Sequence, residues 1–252
     1  MISPKIDIII PTKGPQSKAM TITAIKSFLR FSDGFDFKIH VVENFNDPLY
    51  VYDDILSLSD NINWIQNPLD VGNGSIENGL GIKRGLEEVE SDFVFFCHND
   101  VAACHPKWMH HLYDKIVNFD HHLCGFLVDP HPERIKAIHI SGMLLTVELA
   151  NSVDIMDFRP PLPTDVGDNY TQYCRDNNLK YYCTPNTRGN SEEWALERCK
   201  EPFRSYPYAG RALDDNNDVL YMHLHRGTYR AHGWRNDYDV NDWISFVEDN
   251  VL

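Results

Sequence analysis

Between Ile6 and Cys97 the chain alternates repeatedly between short β-rich apolar runs and segments whose apolar residues recur at helical spacing. That alternation constrains the fold more than any single residue does. A strand buried on both faces reads as a continuous apolar run, and parallel neighbours must be joined by helices that cover the sheet. Ile6 to Ile10, Phe37 to Val42, Ile62 to Ile65 and Phe93 to Cys97 are the strand-like runs. Between them Ile22, Ile25, Phe28 and Leu29 share a helical face, with Ser17 a cap and Gly34 a stop, while Leu49 to Leu58 and Ile76 to Val89 read as further helices. Gly79, Gly81 and Gly85 each cost that last helix about 1 kcal/mol against alanine, so another element is expected to approach closely there. The pattern predicts an α/β fold with a wound, largely parallel sheet whose loops gather on one edge.

In such sheets ligands sit beyond the carboxyl ends of the strands. The first run is followed by Pro11-Thr12-Lys13-Gly14-Pro15, which supplies a hydroxyl, a cation and open glycine backbone where a nucleotide fits. The second ends at Glu43-Asn44, and the third opens into the turn-rich loop Asn67 to Ser75. The fourth delivers His98-Asn99-Asp100, metal-capable and hydrogen-bonding side chains. Taken alone, that triplet serves equally well as a polar turn closing a core strand.

Beyond Pro106 the pattern loosens. Trp108 to Val117 reads as a helix, Leu123 to Val128 and Ala137 to Ile140 as strands, and Ser141-Gly142-Met143-Leu144-Leu145 as a turn entering another apolar segment. Pro160, Pro161 and Pro163 bar a helix until Asp165, after which Val166 to Asn178 can form one, capped by Asp165 or Thr164. Leu179 to Cys183 resumes as a strand. Pro185 to Asp218, polar and rich in turn formers, is expected to be a mobile loop or lid. Val219 to Met222 is the last strand, delivering His223-Leu224-His225-Arg226-Gly227-Thr228, and Val240 to Val251 closes the chain as a helix.

Composition narrows the partners. With 252 residues, 42% hydrophobic and 24% charged, the chain can bury a sizeable core. Its net charge of -14 opposes binding of a nucleic-acid polymer, although one nucleotide paired with a divalent cation remains compatible. Cysteines 97, 104, 124, 174, 183 and 199 form no CxxC pair, which predicts reduced thiols inside a cell. Met1 runs straight into IDIII and is stopped by Pro11, so neither a signal peptide nor a transmembrane segment is expected and the expected location is cytoplasmic.

IDIIIPTKG, VVEN at 41 to 44, NPLDVGNGSIENGLGIKRG from Asn67, FFCHNDVAACHPKWMHHL from Phe95, ISGMLL from Ile140, DVGDNYTQYCRDNNLKYY from Asp165 and HLHRGT from His223 occur in an order that resembles glycosyltransferases of family 2, which have the GT-A fold. The resemblance covers nearly the whole chain. It implies a Rossmann-like wound mixed sheet in a single domain, residues 1–101 forming a nucleotide-sugar-binding half and 102–252 an acceptor-binding half. It also implies a nucleotide-sugar donor, Mn2+ or Mg2+, a glycan or other hydroxyl acceptor, and transfer with inversion.

Carried onto this sequence, the resemblance places Pro11, Thr12 and Glu43 at the base and ribose, with Asp70 and Asn78 as further donor-pocket residues. His98-Asn99-Asp100 falls where the family has Asp-x-Asp, which makes Asp100 the metal ligand. His98 departs from the pattern, and either contacts the ribose or makes a more zinc-tolerant site. His223 matches a histidine that completes the metal shell, and His225 is its rival. Lys13, Arg226 and Arg230 are cations that can assist the leaving group. Asp168 is favoured over Asp165 as general base; read locally, Asp165 is a helix cap and Asp168 a first-turn charge. Trp194, Tyr206, Tyr208 and Trp234 serve as sugar-stacking or as core residues, whereas His110-His111 and His121-His122 read as solvated surface.

Two other classes fit parts of the pattern. A nucleotidyltransferase shares a similar half-domain, yet beyond Lys13-Gly14 no glycine-rich basic signature follows the first strand. A non-catalytic carbohydrate- or partner-binding relative would keep the fold, with His98 marking loss of the metal site.

Overall fold

The computed structural model describes residues 3–47, 51–127, 135–157, 165–187, 196–207, 209–225, 227, 231–233 and 240–252. The expected alternation is present as β1 (Lys5–Thr12), α1 (Lys18–Arg30), β2 (Asp36–Glu43), α2 (Asp53–Leu56), β3 (Ile62–Gln66), α3 (Gly74–Leu86) and β4 (Phe93–Cys97). Then follow β5 (Val101–Ala103), α4 (Trp108–Val117), β6 (Leu123–Leu127), β7 (Ile138–Thr146), α5 (Val147–Ser152), α6 (Asp168–Asp176), β8 (Tyr181–Thr184), β9 (Gly210–Leu213), β10 (Val219–His223) and the C-terminal helix Val240–Asn250.

Seven strands form one sheet in the order β3-β2-β1-β4-β7-β6-β8. β1 to β4 run parallel, β7 is antiparallel to both its neighbours, and β6 pairs parallel with β8, so the sheet is mixed. Side chains alternate across it with period two. Ile8, Ile10, Phe95 and Cys97 join the core formed with Phe28 of α1 and Trp108 of α4. Ile9, Val94 and Phe96 join the opposite core, with Ile82 of α3 and Tyr170 of α6. A second sheet, β5-β10-β9, is antiparallel and shares a third core with Met20, Trp243 and Val247. Among the described residues no helix is long and apolar enough to cross a membrane, and all six cysteines are free thiols.

The glycines of α3 have the expected reason. A Cβ on Gly85 would stand 2.6 Å from Ile9 Cγ2, one on Gly81 would stand 2.8 Å from Asn44 Nδ2, and one on Gly79 would stand 2.6 Å from Met156 Sδ. The helix lies directly on β1 because nothing projects between them.

Several expectations change. Ser141-Gly142 is no turn: β7 runs unbroken through it, paired with β4 from Phe93↔Thr146 to Cys97↔Gly142. The helix expected over Leu49 to Leu58 shrinks to Asp53–Leu56, with 48–50 outside the described residues. The helix expected from Val166 starts at Asp168, because Gly167 turns the chain through the left-handed region at φ 84. Thr164 lies outside the described residues. Within Pro185 to Asp218, Gly210–Leu213 is not loop but strand, and the Arg211 side chain is buried and donates to the carbonyls of Phe203, Tyr206 and Ala209. Residues 188–195 and 208 lie outside the described residues.

Near the amino end of β1, the buried Asp7 carboxylate accepts the Ser91 N–H at 3.0 Å and meets His40 Nε2 at 2.5 Å. Burial alone would raise this carboxyl, but His40 and Ser91 outweigh it and hold it below the usual carboxylate value. Because the native value is the lower one, Asp7 stabilises the fold fully above about pH 3.9, and that contribution is lost as pH falls through the native value. Asp7→Asn should therefore flatten the acid limb of stability measured by denaturant titration against pH. Gly85→Ala tests the α3 contact: helix propensity favours alanine by about 1 kcal/mol, whereas overpacking Ile9 costs about 1–3 kcal/mol. The variant should melt lower than the parent, opposite to the propensity.

Candidate active site

Three polar residues separate the two sheets. β4 ends at Cys97 and β5 begins at Val101, so His98-Asn99-Asp100 is the passage between them. β10 pairs with β5 through His223↔Val101, and the Leu224 N–H donates to the Asp100 carbonyl at 2.9 Å. β7 pairs with β4 as far as Cys97↔Gly142, which puts Ser141 next in register to His98. Backbone pairing alone therefore brings residues near 98, 100, 141 and 223 to one edge.

Asp100 is 2% exposed. Its Oδ2 accepts the Gly227 N–H at 2.8 Å, and its Oδ1 lies 3.1 Å from His223 Nε2 and 4.0 Å from His98 Nδ1. Burial would raise this carboxyl; His223, then His98 and the Gly227 amide, overcome it and hold Asp100 well below the usual carboxylate range. Yet, 3.1 Å from each other, neither Asp100 Oδ1 nor His223 Nε2 has an assigned hydrogen bond among the described residues.

Hydrogen bonds around His223 explain why. His139 Nδ1 accepts the Ser141 N–H at 3.2 Å, so that nitrogen carries no proton, and the Ser141 hydroxyl 2.5 Å away must donate to it. Ser141 Oγ then accepts from His223 Nδ1 at 2.9 Å. With one proton committed there, a neutral His223 ring would turn an Nε2 lone pair to the carboxylate oxygen, and a cationic ring an N–H. Two buried acceptors facing each other need positive charge between them, either a proton on the ring or a metal cation. His98, Asp100 and His223 offer donor atoms that all lie within 4.8 Å of one another, a spacing that fits a bound cation. The rival, His225, sits at φ 64 and its Nε2 accepts the Gly210 N–H at 3.1 Å, which commits that nitrogen to the backbone.

The other expected residues lie on β1, β2 and α3 and in the loops that follow β1, β3 and β4. Thr12 Oγ1 lies 2.9 Å from Thr21 Oγ1, and Asn99 Nδ2 donates to Thr12 at 3.3 Å, so Thr12 and Asn99 brace β1 against α1 and the β4 terminus. Glu43 is fully buried, and its Oε1 accepts the N–H groups of Gly14 and Phe45 at 2.9 and 2.8 Å. Burial pushes the Glu43 carboxyl up against those two amides and Lys13, and its Oε2 has no hydrogen-bond partner among the described residues. Pro11 is buried beside Gly81. Lys13 Nζ pairs with Glu77 Oε2 at 2.6 Å, while Glu77 Oε1 accepts the N–H groups of Val71 and Gly72 at 3.2 and 3.1 Å. Asp70 is exposed and Asn78 half-buried on α3.

At the start of α6, Gly167 abuts Ile140, the neighbour of Ser141. Asp168 is 0% exposed and its Oδ2 accepts the Asp165 N–H at 2.8 Å, whereas Asp165 is half-buried and its Oδ1 accepts the Val166 N–H at 2.8 Å. Tyr206 packs at 4.4 Å on Phe246, centroid to centroid, in the third core. Arg226, Arg230, Trp194, Tyr208 and Trp234 lie outside the described residues. Glu77, His139 and Ser141 escaped the sequence reading. The signal for the last two was their i, i+2 spacing on one face of β7, hidden by reading a turn there.

No protein-family model and no curated protein matches this sequence. Among solved structures the chain is similar to the mannosyltransferase PcManGT from Pyrobaculum calidifontis in complex with GDP-Man and Mn2+, at 10% identity over 73% of this chain and 56% of that one, TM-score 0.54. The chain thus spans little more than half the length of that relative. Lower likenesses join it to glucosyl-3-phosphoglycerate synthase from Mycobacterium tuberculosis (12% identity, 60% of this chain and 58% of that one, TM-score 0.41) and to S. aureus TarS 1-349 (16%, 60% and 49%, TM-score 0.44). Strand order and the likeness to the mannosyltransferase define the class: the chain has a GT-A fold.

Ser141→Ala should weaken divalent-cation binding about 10-fold or more in isothermal titration, the usual cost of removing the group that orients a ligating histidine, while the cation-free melting temperature changes little.

Proposed function

We propose that the protein is a metal-dependent glycosyltransferase that moves a sugar from a nucleotide-diphosphate-sugar to an acceptor hydroxyl with inversion, residues 1–101 holding the donor and 102–252 the acceptor in one domain. The observation that carries this reading is the buried Asp100 Oδ1 and His223 Nε2, 3.1 Å apart at the carboxyl edge of β4 and without an assigned hydrogen bond among the described residues. Its likeness in fold to a mannosyltransferase solved with GDP-Man and Mn2+ supports the same donor class.

Asp100 and His223 hold the cation, Mn2+ or Mg2+, which when bound supplies the charge that offsets a diphosphate leaving group. Pro11, Thr12 and Glu43 shape the wall for base and ribose, with Asp70 and Asn78 as further donor-pocket residues and Glu43 Oε2 as a hydrogen-bond acceptor toward the base. Lys13, held by Glu77, is our candidate contact to the diphosphate, with Arg226 a further candidate from the sequence alone. The acceptor oxygen bonds to the anomeric carbon as the bond from that carbon to the diphosphate oxygen breaks. An aspartate takes the hydroxyl proton, and the nucleoside diphosphate leaves. Asp168 is our assignment for that base; since it is fully buried, its use requires the 165–168 turn to open, whereas half-buried Asp165 needs no such change.

The test is thermal shift with nucleoside diphosphates and Mn2+. Ligand at about 100 times Kd stabilises by about 2.7 kcal/mol, about 5–10 °C for a chain of this size. The shift should vanish with chelator and in Asp100→Asn. No shift with any common nucleoside diphosphate, or the same shift with chelator present, would overturn the reading.

A further inference from the structure

The geometry points to His98 as a third protein ligand, which with Asp100 and His223 makes a two-imidazole, one-carboxylate site selecting nitrogen-accepting transition ions, Mn2+, Co2+ and Zn2+, over Mg2+. The inference rests on the proposed cation site and goes beyond it, because the residue it concerns departs from the resembled pattern.

Three observations converge. First, the donor atoms of His98, Asp100 and His223 lie within 4.8 Å of one another, with His98 Nδ1 4.0 Å and His223 Nε2 3.1 Å from Asp100 Oδ1. Two ligands on one zinc-like ion, each about 2.0–2.1 Å from the metal, stand roughly 3 Å apart. The His223–Asp100 spacing already meets that, and His98 needs about 1 Å of ring movement. Its side chain is 19% exposed, which leaves room for that movement.

Second, Asp100 turns Oδ1 toward both imidazoles, while Oδ2 accepts the Gly227 N–H at 2.8 Å. The protein then supplies two nitrogens and a carboxylate. Mg2+ favours a near-octahedral oxygen shell, whereas imidazole with carboxylate suits first-row transition ions.

Third, the His223 ring is held before any ion arrives. His223 is fixed through Ser141, and Ser141 through His139, whose ring centroid lies 5.7 Å from those of both His98 and His223. Phe126 stacks on His139 at 6.0 Å with an interplanar angle of 24°, which limits rotation of the group at the back of the chain. Such outer partners tune nitrogen ligands, and an all-oxygen shell would not require them.

Isothermal titration of the chelator-stripped full chain with Mg2+, Mn2+, Co2+ and Zn2+ tests this. Co2+ should bind at least 100-fold more tightly than Mg2+. Since the general affinity order already favours cobalt over magnesium, the deciding readout is the variant. His98→Asp and His98→Gln should each lower the Co2+:Mg2+ affinity ratio at least 10-fold and shift the visible absorption of bound Co2+. A wild-type ratio below 10, or a ratio unchanged within threefold in both variants with an unaltered Co2+ spectrum, overturns the assignment and leaves His98 a ligand-contacting or structural group. Nucleoside diphosphate binding, measured in parallel, separates the two readings. Equal diphosphate binding with Mg2+ and Co2+ rejects the selectivity while keeping the transferase reading. Selective metal binding without diphosphate affinity keeps the selectivity and rejects the transferase reading.

Discussion

A carboxylate with almost no access to water must be compensated by the protein, and Asp100 is compensated from three directions at once. His98 comes from the end of the large sheet, His223 from the end of β10 in the small one, and Gly227 from the chain beyond β10. The Gly227 contact spans 127 positions of sequence. An unpaired charge buried this deeply would cost several kcal/mol, so the junction between the two sheets and the polarity of their shared edge are solutions to one electrostatic problem. On the Oδ1 side the network through Ser141 commits the Nδ1 proton of His223, so compensation there needs a second proton on the ring or a cation.

The surrounding loops are held by the same kind of bond. Glu43 ties the Gly14 and Phe45 amides together, Glu77 ties Val71 and Gly72 to Lys13, and Asn99 ties the end of β4 to Thr12. In each case a buried polar side chain satisfies backbone or side-chain groups of segments distant in sequence. Loops fixed in this way lose little further freedom when a ligand arrives, which favours affinity and places dipoles before they are needed.

What was legible in the sequence follows from how far each feature depends on distant chain. Strands such as Ile6 to Ile10 and Phe93 to Cys97 were readable because burial on both faces forces continuous apolar runs, and the α3 glycines were readable as close approaches because they break helix propensity without breaking the helix. Ser141-Gly142 resembled turn chemistry, but Gly142 is a glycine because the Tyr221 and Phe126 rings leave no room for a Cβ, and Tyr221 Oη donates to the Gly142 carbonyl at 2.8 Å. No local pattern carries that. β9 was hidden for a similar reason: Arg211 in its centre reads as solvent-facing, and only three carbonyls from neighbouring chain make its burial tolerable. At the site, alternation put His223 and His225 on one face, until a positive φ at His225 broke the alternation and turned that ring to Gly210.

Charge gives the last step. A diphosphate brought to a chain of net charge -14 meets a repulsive background, and Lys13, the cation that the first loop offers, is already neutralised by Glu77 at 2.6 Å. Freeing Lys13 for a phosphate would leave a carboxylate that is 5% exposed without its partner, trading one uncompensated charge for another. Glu77 would still accept the Val71 and Gly72 amides, but two neutral donors do not replace an ammonium. On the proposed function, a divalent ion at the Asp100–His223 edge would supply the neutralisation that Lys13, already paired, does not.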